Sequence, residues 1–139
     1  MNKIKEDSLA ANHHCYEVFC SKDLDAMRDL WAPNENIACV HPGWGLLEGW
    51  KDVMSSWEGI FENPSTPGIR PVGETVFQQG GYAFVVCGES VEGAEPSLVA
   101  TNIFEESTQG WKLVHHHVSP ILQITEDFEE AQEPTQQLH

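Results

Sequence analysis

The sequence predicts an α+β fold in which helices come first and an antiparallel sheet follows. Two observations carry this. The first sixty residues show apolar side chains at helical spacing, and from Ile69 onward the chain breaks into four β-rich runs joined by short turn-rich links. At 139 residues it is the size of one domain. The expected organisation is a folded unit over 1–124 and a mobile acidic tail over 125–139, "TEDFEEAQEPTQQLH", which holds five acids, one proline and no Lys or Arg.

Residues 6–20 bring Leu9, His13, Tyr16 and Cys20 near one stripe of a first helix. Asp23 caps a second, "DLDAMRDLW", which places Leu24, Met27, Leu30 and Trp31 at helical spacing. The segment "NIACVHPG" carries β-formers into a turn, and Pro42 cannot donate to a ladder, so a short strand ends there. From Trp50, the positions Val53, Met54, Trp57, Ile60 and Phe61 form the apolar face of a third helix closed by "NPSTPG". The runs "IRPVGETVFQ", "YAFVVCGESV", "SLVATNIFEE" and "WKLVHHHVSPI" are separated by "QGG", "EGAEP" and "STQG", links suited to antiparallel pairing.

Composition excludes several classes of partner. Seven Lys and Arg against 22 acids give a net charge of −15, which offers neither nucleic acid nor an anionic membrane any counterion-release gain. The N-terminal "MNKIKEDSLAANHH" has no apolar signal core and no run reaches a membrane span, so the expectation is a soluble, cytoplasmic protein. Cys15, Cys20, Cys39 and Cys87 lack a C-x-x-C spacing, and free thiols are expected. The glycines of "GWGLLEG" lack the context of a phosphate-binding loop. No cofactor is expected.

The helical pair ending in "DLW", the strand ending in "VHPGW", the helix "LEGWKDVMSSWEGIF" and the closing strands "LVATNIFEESTQGWKLVHHHVSP" together resemble the nuclear transport factor 2-like superfamily. Within it the chain is most similar to SnoaL-like domains, relatives of polyketide cyclases and steroid delta-isomerases, over residues 6–122. The resemblance implies a cone: three N-terminal helices packed on a strongly curved antiparallel sheet, one internal small-molecule pocket, and a homodimer formed through the sheet. It also implies isomerase, cyclase or dehydratase chemistry, or else a non-catalytic ligand-binding or association module.

The family motif transfers unevenly. Steroid isomerases end the strand after the second helix in Asp-Pro-x-Gly, whose Asp shuttles the proton; the matching place here reads His41-Pro42-Gly43. Their first-helix tyrosine, an oxyanion donor, falls within one residue of Tyr16, with Cys15 in the ungapped position. Their second donor, an Asp, falls near Ala100, and Asn102 lies two residues on along the same strand face.

His41 is therefore the candidate proton acceptor, an imidazole suited to neutral pH, and Asn102 the candidate stabiliser of an enol oxygen. In the triplet His115-His116-His117, the two-residue period puts His115 and His117 on one face. His117 is expected to join the catalytic group and His115 to contact substrate. A His-x-His pair with His41 could also ligate a metal, although packing and hydrogen bonding are the simpler use, and no metal is assigned. Tyr16, Trp31, Trp44 and Trp57 complete the expected substrate-contacting set. Of these, Trp44 beside the turn suits a pocket wall and Trp57 on the helix stripe suits the core. Glu105 and Glu106, on opposite faces of a strand beside a turn, read as solvated charges.

Overall fold

A computed structural model describes residues 2–122; the acidic tail expected over 125–139 lies outside them. Helix α1 runs Lys3–Ser21, α2 Leu24–Leu30 and α3 Trp50–Glu62; the strands are β1 Ala38–Val40, β2 Leu47–Glu48, β3 Ile69–Gln79, β4 Tyr82–Val91, β5 Leu98–Ser107 and β6 Gly110–Pro120. The strand order is β2-β1-β6-β5-β4-β3, a single curved, open, six-stranded sheet with three helices packed on one face. The fold class is α+β, as the element order predicts.

Local chemistry sets the element ends. α1 begins earlier than the apolar stripe suggests, because Asn2 Oδ1 accepts the Lys5 amide at 2.8 Å and caps the first turn. Asp23 does the same for Ala26 at the start of α2. Gly49 precedes α3 with φ of 85°, and a Cβ there would meet Glu35 Oε1 at 2.5 Å. Gly49→Ala is expected to cost about 1–2 kcal/mol by urea denaturation, from left-handed backbone strain and displacement of Glu35. A change within a few tenths of wild type would mean that the α3 entry relaxes freely.

The sheet departs from the predicted meander at one edge. β1 joins β6 in parallel, pairing Ala38 with His115 and Val40 with His117, while β2, a two-residue strand, pairs antiparallel with β1. The three links between the long strands β3 to β6 are antiparallel. β6 also carries a bulge: Phe104 faces Leu113 and Ile103 faces His115, leaving Val114 as an extra residue. That insertion shifts the parity of everything after it. Leu113 and Val118, five residues apart, are both buried on the concave face, and His116 falls between them. A second irregularity in β3, between Val72 and Thr75, turns Glu74 toward α1, where it meets Asn12 and His13.

The core fills the space between helices and sheet. Trp31, Val53, Val85, Phe104 and Val118 are almost fully buried, each contributing roughly 2 kcal/mol by leaving water. Cys15, Cys39 and Cys87 are buried free thiols and Cys20 is an exposed one. Burial pushes the thiols of Cys15 and Cys39 up to about 12, so neither is a nucleophile at neutral pH. Several polar groups share this interior, among them Asn12, His41, Glu89 and Asn102.

Candidate active site

A cavity of about 290 Å³ opens between the helices and the concave sheet face. α1 contributes Tyr16 and Phe19, α3 contributes Trp57, the turn after β1 contributes His41 and Trp44, and the sheet contributes Glu89, Asn102 and His116. Most of the remaining wall is aliphatic, and no Lys or Arg lines it. Such a cavity suits a small, mainly apolar molecule held by a few polar contacts.

His41 sits at the end of β1 because Pro42 stops the strand and the His41 carbonyl closes a turn onto the Trp44 amide at 2.9 Å. Its ring lies between two indoles, with centroids 4.8 Å from Trp44 and 4.7 Å from Trp57. Ser56 Oγ spends its one proton on the Val53 carbonyl at 2.7 Å, so at 2.9 Å the imidazole Nε2–H must donate to Ser56. Nδ1 is left with its lone pair and only the Cys39 sulfur, 3.9 Å away. Burial lowers the His41 pKa from 6.5 to about 4, which keeps the ring neutral at physiological pH.

His116, Asn102, Tyr16 and Glu89 form a chain whose polarity can be deduced. Asn102 donates its amide protons to Asn12 Oδ1 at 2.9 Å and to the Tyr16 hydroxyl at 3.2 Å. Its carbonyl oxygen therefore accepts from His116 Nδ1–H at 2.5 Å, which leaves His116 Nε2 as a free lone pair. Tyr16 passes its own proton to Glu89 Oε2 at 2.6 Å. Burial, then the charge of nearby His41, lowers the His116 pKa to about 3. The same desolvation raises that of Glu89, against the Tyr16 hydrogen bond that lowers it. The His41 and His116 ring centroids are 6.2 Å apart.

The structure brings His41, Asn102, Tyr16, Trp44 and Trp57 to one cavity and leaves three expected residues outside it. His117 and His115 lie on the outer face of the sheet, the former exposed and the latter half-buried, because the Val114 bulge gives the inward position to His116. This also separates them from His41, so the three histidines do not form one ligand set. Trp31 does not line the cavity: α2 runs directly into a bridge between Trp31 and Leu113 of β6, which turns the indole into the core. Trp44, 48% exposed, stands at the mouth, and Trp57 is both wall and core, its Nε1–H lacking a hydrogen-bond partner among the described residues. Glu89 and His116 enter the site unexpected. Glu89 had a readable signal, since Ala83, Val85 and Cys87 define an inward apolar face on which Glu89 is the next position.

Comparison with known proteins agrees with this architecture. A family model for the SnoaL-like domain matches residues 9–123. The F-box protein SKIP8 of Arabidopsis thaliana is 27% identical over 116 residues, which are 82% of this chain and 49% of that protein; the chain spans about half the length of this curated relative. Among solved structures, a candidate dehydratase from the NTF2-like family of Streptomyces avermitilis is 31% identical, covering 86% of this chain and 96% of that one with a TM-score of 0.76. A candidate calcium/calmodulin-dependent protein kinase type II association domain from Thiobacillus denitrificans is 29% identical, covering 81% and 94%, with a TM-score of 0.71.

Proposed function

Because the chain belongs to the SnoaL-like domain family, in which one scaffold serves both chemistry and assembly, we propose that it is a small-molecule pocket enzyme of the isomerase or dehydratase type. The observation that carries this reading is the convergence of two neutral imidazoles, each with an uncommitted lone pair, on one apolar cavity. In this reading His41 takes a proton from carbon or oxygen of a bound carbonyl or hydroxyl compound. His116, oriented by Asn102, offers its Nε2 lone pair as a second acceptor for a proton or hydroxyl of the bound compound, while the Tyr16 proton stays with Glu89.

Deuterium exchange into simple ketones tests the proton transfer directly. Small cyclic ketones incubated with the protein in D2O should exchange their α-protons faster than in buffer, followed by proton NMR. His41→Gln, which keeps a donor for Ser56, should lower that rate by about 10²-fold with the circular dichroism spectrum unchanged. Wild-type exchange in the variant would remove His41 from the mechanism. No acceleration by the wild type with any ketone would leave a binding pocket without proton-transfer chemistry.

A second reading, self-association through the outer sheet face, draws on the exposed rings of Phe77 and Tyr82, 44% and 47% exposed, beside the Phe77–Phe84 stack. The similarity to an association domain supports it as well. A dimer by light scattering that dissociates in Phe77→Glu would establish it, and a monomeric wild type would end it.

A further inference from the structure

We infer that the cavity takes a small organic amine in its protonated form, with the ammonium head paired to Glu89 and an apolar body against the aromatic wall. This rests on the pocket reading above and adds the charge class of the ligand.

The argument starts from a carboxyl group with no counter-charge. Glu89 is 4% exposed in the cavity wall, and no Lys or Arg lines that cavity or forms a salt bridge with it among the described residues. Its immediate contacts in the cavity wall carry no positive charge. Tyr16 from α1 donates to it, Cys87 lies two residues away on the same strand face, Asn102 stands on β5, and the further titratable groups near this cluster are Cys15 of α1 and Glu74 of β3, the latter bonded to the exposed His13 of α1. The imidazoles of His41 and His116 contribute no positive charge at neutral pH.

The hydrogen-bond chain has a direction that favours an anion at its end. His116 donates to Asn102, Asn102 to Tyr16 and Tyr16 to Glu89 Oε2, while Oε1 has no protein donor among the described residues. A buried carboxyl group without a counter-charge is driven toward its protonated form, and a bound ammonium stabilises the ionised form where a neutral molecule does not. Tyr16, Phe19, Trp44 and Trp57 supply ring faces of the kind that attract ammonium groups. The net charge of −15 concentrates cations and repels carboxylates around the whole chain.

Three matched probes separate the cases: benzylamine, benzyl alcohol and benzoate, titrated calorimetrically at pH 7.5 into the wild type and into Glu89→Gln. The glutamine retains an acceptor for Tyr16 and so preserves the chain. Benzylamine is expected to bind the wild type at least about tenfold tighter than benzyl alcohol, with benzoate not binding, and Glu89→Gln should abolish that preference. Alcohol binding equal to or tighter than amine binding would overturn the inference and leave the pocket reading standing. An amine preference that survives in Glu89→Gln would overturn Glu89 as its anchor. If none of the probes bound, the amine inference would fall, and the pocket reading would stand or fall on the ketone exchange.

Discussion

Acidification from pH 7 to pH 4 should cost this fold up to about 6 kcal/mol through two buried histidines, a large part of the stability of a domain of its size. His41 and His116 are the source. In the folded chain their pKa values are lowered by burial to about 4 and about 3, whereas in the unfolded chain both titrate near 6.5. Below 6.5 the unfolded state takes up protons that the folded state refuses, so stability is lost as pH falls through the window from 6.5 to 4. The half-buried His115, lowered in the same direction by burial and then by His117, adds to the slope. Glu89 works the other way, because its raised pKa makes the folded state the better proton binder above the ordinary carboxylate range. Urea denaturation at a series of pH values would measure the slope. His41→Gln and His116→Gln should each remove about half of it, and curves parallel to wild type would show that neither imidazole is held neutral by the fold.

Asn102→Ala should destabilise the protein by on the order of 3–4 kcal/mol, far more than the loss of one amide suggests. Asn102 makes three hydrogen bonds in the interior, and removing it leaves His116 Nδ1–H and Asn12 Oδ1 buried without partners. Asn12 is also tied to Glu74 at 2.9 Å, so the damage reaches the α1 packing against β3. A double-mutant cycle with His116→Phe should recover part of the loss, since that change removes the stranded donor. Additive losses would mean the two side chains act independently.

The general fold was legible because helical spacing and strand length are local properties. Met27 and Leu30, or Val53, Met54 and Trp57, are buried as their spacing demands. The site was less legible because it depends on parity, and parity is set by pairing with another strand. Strict alternation along β6 puts His115 and His117 with Leu113; only the burial of Val118 as well requires the extra residue that brings His116 inward. Glu89 was overlooked for a related reason: an acid between Gly88 and Ser90 resembles a turn charge unless the alternation from Ala83 is followed to its end.

The bulge at Val114 has a consequence for how such a site can change over evolutionary time. Were the irregularity in β6 to migrate toward Pro120, His115 would come opposite Asn102 in place of His116. The cavity would still receive an imidazole. The adjacent pair His115 and His116 thus insulates the site against strand slippage, and a lineage could drift in the position of this one-residue irregularity without surrendering the group that faces its ligand.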